Sequence, residues 1–263
     1  MKQGGLHKLR GSKDGLSYFE RNCEFFVRRA SGFTAEQIKN DPKLARIKEN
    51  NQEFTGAALA MKGSRQGLAL VYKLYSDAAV SRRMMATCRA IIGRSTAVRD
   101  QRPFLPLANK DLLVNFALNE GHLLEEAFLA PYTIATNAGR SQVTLTVPDF
   151  DTRILVNAPG VATHFRLVCV CAVLSAYTYD TVTRQYVVAD AASNGKNAFA
   201  ASGYVALGGA VGAVTTVLAA ITPTPTLVAT SALLVCVGIE FYQDLGGTKY
   251  LLGGKVMRIK EVF

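Results

Sequence analysis

The sequence has no tryptophan, only three histidines and no C-x-x-C pair. His7, His122 and His164 are scattered, and none stands near a Ser, Cys or carboxylate in a nucleophile–base pattern. No catalytic residue is therefore assigned, and the chain reads as non-enzymatic. The five cysteines, Cys23, Cys88, Cys169, Cys171 and Cys236, are odd in number, which implies neither a disulfide framework nor a zinc knuckle. Cys169 and Cys171 lie two apart in a strand-like run and share a face, so with Cys236 they read as small core residues. His164 is an odd number of residues from Cys169 and would point the other way, which argues against a metal site. Asp149-Phe150-Asp151 lacks the oxygen ligands of a calcium loop. Gly208-Gly209-Ala210-Val211-Gly212 is not followed by Lys-Ser/Thr, as a phosphate loop would be. No cofactor is implied.

Charge is absent from the whole stretch between Lys196 and Glu240. Residues 203–221 are long enough for a membrane helix. The competing reading is two or three buried strands. It is favoured by mid-span glycines, by frequent Val and Thr, and by the break at Pro223-Thr224-Pro225. Basic flanks that would anchor a membrane hairpin are sparse, so no membrane span is favoured. An apolar h-region is also missing near the first lysine, so no secretory signal peptide is read there.

What is abundant is positive charge, unevenly placed. Residues 1–103 hold 20 Lys+Arg against 9 Asp+Glu, whereas residues 104–263 hold 10 against 11. A basic half beside a near-neutral half suggests modules with different surroundings. Nucleic acid, an acidic surface or a neighbouring subunit would each answer that charge, and so would a plain solvated basic face.

Three short strand-like runs open the chain: 6–10, 16–20 and 24–29, with turn chemistry at 11–15 and 21–23. Apolar and basic residues mix along them, predicting a ribbon with one greasy and one charged side. Such a ribbon is marginal alone in water and needs another surface. Thr34 followed by Gln37 fits a capping box, and Asp41-Pro42 fits a second helix start. The apolar series Leu44, Ile47, Asn51, Phe54, Ala58 and Met61 predicts one face of an amphipathic helix, broken at Gly63-Ser64. A second long helix is expected over 65–92, antiparallel to the first. The basic, Pro-punctuated segment 94–110 reads as a linker. Beyond it, strand-like runs at 133–136, 142–147, 164–170, 185–188, 233–241 and 250–259, separated by Gly, Asn and Pro turns, suggest a β-sandwich.

Gly5-Leu6-His7-Lys8-Leu9-Arg10-Gly11, Gly15-Leu16-Ser17-Tyr18-Phe19, Phe26-Val27-Arg28-Arg29 and Arg46-Ile47-Lys48-Glu49-Asn50-Asn51 resemble the opening of an uncharacterised domain family of Bacteroidota. Ala158-Pro159-Gly160-Val161-Ala162-Thr163-His164-Phe165 and Gly238-Ile239-Glu240-Phe241-Tyr242-Gln243 are similar to its second half. The resemblance carries no established activity. More loosely, it extends to families with members that form extracellular helical fibrils, which implies an immunoglobulin-like sandwich and an extracellular or cell-surface filament. Asp180-Thr181-Val182 looks like the O-glycosylation acceptor of those bacteria, with Thr181 the modified residue.

The resulting expectation is an α+β chain: a β-ribbon over 1–30, a basic helical hairpin and linker over 31–110, and an immunoglobulin-like antiparallel β-sandwich over 111–263. Its function is expected to be self-assembly into a helical filament or tube, with itself as partner. Leu6, Leu9, Leu16, Tyr18, Phe19, Phe25, Val27, Arg28 and Arg29 are the candidate interface. Aromatic and basic residues together also suit single-stranded nucleic acid, which is the alternative partner.

Overall fold

A computed structural model of the chain describes residues 2–3, 8–29, 32–253 and 255–263. They divide into two compact units, 1–49 and 50–263.

In the first unit, β1 (Gly11–Lys13), β2 (Leu16–Arg21) and β3 (Glu24–Arg29) form an antiparallel sheet in that order. Both turns are two residues long with both central residues at positive φ: Asp14-Gly15 and Asn22-Cys23. This is the primed hairpin geometry, whose twist matches the strands. It corrects the expected ribbon. The Asp14-Gly15 turn fixes the register Gly11↔Tyr18 to Lys13↔Leu16, so the first strand falls at 11–13, where a turn was expected. Residues 8–10 are not strand, and Leu6 and His7 lie outside the described residues. Helix α1 (Ala35–Asn40) has the expected capping box: Thr34 Oγ1 accepts from the Gln37 N–H at 3.1 Å and Gln37 Oε1 accepts from the Thr34 N–H at 2.8 Å. A single 3₁₀ turn at Pro42–Leu44 follows, capped by Asp41, and leads into α2 (Ala45–Gly67).

Helix α2 continues unbroken through Gly63-Ser64. Its buried face is not the expected apolar series, since Phe54 is exposed, but Gly56, Ala57, Ala60, Gly63, Ser64 and Gly67. These small residues serve close approach. A Cβ on Gly67 would sit 3.1 Å from the Ala172 Cβ, and one on Gly56 would sit 2.8 Å from the Tyr186 ring. The expected second long helix is two helices, α3 (Ala69–Tyr75) and α4 (Val80–Gly93). Asp77 interrupts it, accepting from the Ala79 N–H at 2.8 Å and from Arg83.

The second unit continues with β4 (Thr133–Thr136), β5 (Gln142–Val147), β6 (His164–Ser175), β7 (Tyr177–Asp180), β8 (Gln185–Val188), β9 (Asn197–Ala201), β10 (Val205–Ala206), β11 (Thr215–Ala220), β12 (Ser231–Leu245), β13 (Thr248–Leu251) and β14 (Val256–Val262). Strands β6 and β12 pair antiparallel from Ser231↔Ser175 to Tyr242↔His164. Strands β9, β10, β13 and β14 extend this pair into a six-stranded sheet. A second sheet has the order β11-β5-β4, and β7 and β8 form a separate hairpin.

Alternation along β6 and β12 explains the layers. Phe165, Leu167, Cys169, Cys171 and Val173, with Leu233, Val235, Val237 and Ile239, pack against Val143, Leu145, Val147, Val217 and Ala219 of the small sheet. The intervening Val168, Val170, Ala172, Leu234 and Cys236 pack against Leu68, Val71, Met84, Cys88 and Ile91 of the helices. The order of layers is thus helices, large sheet, small sheet. The two central strands are buried on both faces, which is why they read as near-continuous apolar runs. The helices and one face of the large sheet share a core that runs across residue 110, and the small sheet shares a second core with the other face. The 94–110 segment is tied in as well: Phe104 is fully buried and exchanges backbone hydrogen bonds with Tyr177 at 2.8 and 3.0 Å. The uncharged stretch contributes β9, β10, β11 and part of β12, and among the described residues no helix is long and apolar enough to cross a membrane.

Candidate assembly surface

The ribbon's register decides which side chains share a face. Tyr18 stands opposite Val27, Phe19 opposite Phe26, and Leu16 opposite Arg29. One face therefore carries Leu16, Tyr18, Phe25 and Val27 with Arg29, and the other carries Phe19 and Phe26 with Arg28. The expected division into a greasy and a charged side is corrected by this register: each face has aromatic and basic residues. The pairs are ordered. Phe19 and Phe26 stack with ring centroids 5.7 Å apart, Arg28 lies 5.3 Å over Phe19, and Arg10 lies 5.4 Å over Phe25 while pairing with Glu20.

Leu16, Tyr18, Phe19, Phe25, Phe26 and Val27 are all half-buried, Arg28 and Arg29 are exposed, and Leu9 is 54% exposed. Leu6 is outside the described residues. Among the described residues of 1–49, only Leu44 is buried. A stacked aromatic pair adds about 0.5–1.5 kcal/mol beyond area burial, little against the entropy of ordering each residue. The two sheet edges differ. Residues 2–3 run beside β3, where the Gln3 N–H donates to the Phe25 carbonyl at 2.8 Å and Gln3 Nε2 donates to the Phe26 carbonyl at 2.9 Å. Strand β1 has three residues, all exposed. Phe26 belongs with the candidate interface although the sequence reading left it out; its place opposite Phe19 follows only once the Asn22-Cys23 turn sets the register.

Thr181 is exposed in the β7–β8 turn. The neighbouring Asp180 accepts from the Val182 N–H at 2.8 Å and from Thr183 Oγ1 at 2.7 Å, which fixes the turn.

The second unit holds one polar cluster that sequence reasoning missed. Glu240 is buried, and its two carboxylate oxygens accept from Tyr75 and Tyr242 hydroxyls, each at 2.6 Å. Tyr204 packs edge-on against Tyr242 at 4.9 Å, beneath Arg166 at 5.2 Å and Lys249 at 5.4 Å. Burial, then the hydrogen bond to Glu240, raises the Tyr75 phenol far above its ordinary value and pushes Tyr242 up to about 12. Each oxygen of the buried carboxylate thus accepts one phenol hydrogen bond. Burial likewise pushes the Cys88 and Cys169 thiols up to about 12, which suppresses the reactive thiolate. Among the described residues, no three His, Cys, Asp or Glu side chains gather as a metal site.

No protein-family model, curated protein or solved structure matches this chain.

Proposed function

We propose that the chain is a structural subunit that self-assembles into a helical filament or tube, and that the ribbon over residues 1–30 makes its contacts with another copy. The observation that carries this reading is the ribbon itself: six apolar or aromatic side chains, half-buried and spread over both faces, in a unit with one buried residue among those described. Ordered apolar surface without a core gains stability from a partner surface. Adding a strand to a neighbour's sheet edge supplies main-chain hydrogen bonds for affinity and alternating side chains for register. A head-to-tail contact of this kind that does not close propagates as a fibre. The two stacked sheets of the second unit serve, on this reading, as an immunoglobulin-like platform. The resemblance to fibril-forming families favours an extracellular or cell-surface filament with a glycan on Thr181.

Electron microscopy of the purified protein without nucleic acid is the test. Regular fibres or tubes that disappear on deletion of residues 1–30 are expected. Fibres that persist unchanged in the deletion variant overturn the role of the ribbon, and dispersed monomers at every salt concentration overturn assembly.

The alternative is a nucleic-acid-binding protein. It is favoured by the basic half and by arginines lying over the aromatic rings of the ribbon. It requires affinity that falls steeply with salt.

A further inference from the structure

The turn that links α4 to the buried Phe104 is braced from two sides. Tyr186 of β8 lies against Gly56 of α2, and its hydroxyl donates to the Arg102 carbonyl at 2.8 Å. Asp100 adopts the left-handed region at φ 71°, and its N–H donates to Glu53 Oε1 at 3.3 Å. A non-glycine residue in that conformation is held there by its surroundings. The bracing brings Arg99 and Arg102 to the same cleft as Arg89 on the outer face of α4.

This cleft has a volume of about 500 Å³. Asn50 and Glu53 of α2 complete its polar lining, and Ala86 and Ala90 of α4 keep it open. Glu53 is engaged by Arg102 at 3.7 Å. Among the described residues, Arg89 and Arg99 make no ion pair with an acidic side chain. Three guanidiniums thus face one carboxylate in a single recess. Their repulsion is relieved when an anion enters. Guanidinium forks match phosphate oxygens two at a time, which a lone ammonium does not. Among the described residues no aromatic ring lines the cleft to stack a nucleobase.

We infer that this cleft binds a small phosphate polyanion of the diphosphate class, with Arg89 and Arg99 supplying the charge and Arg102, held by Glu53, together with Asn50 orienting it. The inference is independent of assembly. Its test is isothermal titration calorimetry of the full chain with inorganic pyrophosphate, with orthophosphate as the lower-charge comparison. One site per chain is expected, tighter for pyrophosphate, with Kd rising tenfold or more in both Arg89→Gln and Arg99→Gln. Lys62→Gln, on another basic surface, should leave it unchanged. Mass spectrometry of phenylglyoxal-treated wild-type protein gives a second readout that needs no variant: pyrophosphate should protect Arg89 and Arg99. No binding at millimolar pyrophosphate, equal binding in the variants, or absence of protection overturns the inference. A single-stranded oligonucleotide that binds more tightly than pyrophosphate, and loses equally in Lys62→Gln, would assign the charge to a nucleic-acid surface instead.

Discussion

Gly56 shows how much a single missing methyl sets at the residue scale. In an exposed helix, Gly→Ala gains about 1 kcal/mol of helix propensity. At Gly56 the new Cβ would meet the Tyr186 ring at 2.8 Å, while the Tyr186 hydroxyl is committed to the Arg102 carbonyl. Gly56→Ala is therefore expected to destabilise by about 1–3 kcal/mol, the usual cost of overpacking. Gly93→Ala, which meets nothing within 4 Å, should be neutral or stabilising. Urea midpoints of the two variants check the opposite signs. A second residue-scale expectation concerns Tyr75 and Tyr242. Both phenols are raised in the folded chain above the ordinary value of 10.0. The folded state then holds more protons than the unfolded state above pH 10, so stability is full below that pH and falls as pH rises toward 12. Burial is the larger cause of both shifts and the Glu240 carboxylate the next, so Glu240→Gln should lessen this loss without abolishing it, while lowering stability at neutral pH. Denaturant unfolding between pH 8 and pH 12, a range set by about two units around the ordinary phenol value, checks both effects.

Among the elements, the break between α3 and α4 depends on Asp77. Hydrogen bonds from Arg83, and from the Ala79 and Glu120 N–H groups, hold its carboxyl at about 2, below the ordinary 3.8. Its contribution is present above pH 3.8 and lost as pH falls through 2. Asp77→Asn should cost about 1–2 kcal/mol at pH 7 after allowance for solvent screening, and almost nothing near pH 2. Chemical denaturation at the two pH values measures the difference. Legibility from sequence divides along similar lines. The Thr34 capping box, the hairpin turn at Asn137-Ala138-Gly139 and the strands β5, β6 and β12 are readable because each follows from a local pattern: a cap spacing, a turn residue, a period of two in β5 and a continuous apolar run in β6 and β12. Gly63-Ser64 misleads because a glycine that breaks a helix and a glycine that lets Tyr177 or Ala172 approach are identical in sequence. The ribbon's faces mislead for a related reason. Strand content is legible, but a turn of two residues rather than five moves the register and changes which side chains are neighbours. The Glu240 network and the arginine cleft join residues from elements far apart in the chain, and no local spacing announces them.

For the whole molecule, net charge and the ribbon's apolar side chains pull in opposite directions. Identical subunits at formal charge +10 repel one another, and that repulsion is screened as ionic strength rises. The apolar contacts of the ribbon are not weakened by salt. Assembly driven by those contacts should therefore strengthen on going from about 50 to 200 mM salt, whereas binding to nucleic acid through the same basic residues should weaken by orders of magnitude over that range. The sign of the salt effect separates the two readings before any mutation is made. Register then says which variants to compare. Phe19→Ser with Phe26→Ser strips one face, and Tyr18→Ser with Val27→Ser removes the central opposed pair of the other, which also carries Leu16 and Phe25. Each large apolar side chain fully buried in a contact is worth about 1.5–3 kcal/mol. Half of that is already realised in the subunit, so a stripped face that lies in the contact should raise the critical concentration about tenfold or more. The core of residues 50–263 contains none of the four residues, so its urea midpoint should not move. Sedimentation across a concentration series measures the first quantity and intrinsic fluorescence in urea the second. If neither face changes the critical concentration while fibres still form, the ribbon is not the contact, and the assembly surface must be sought in the second unit.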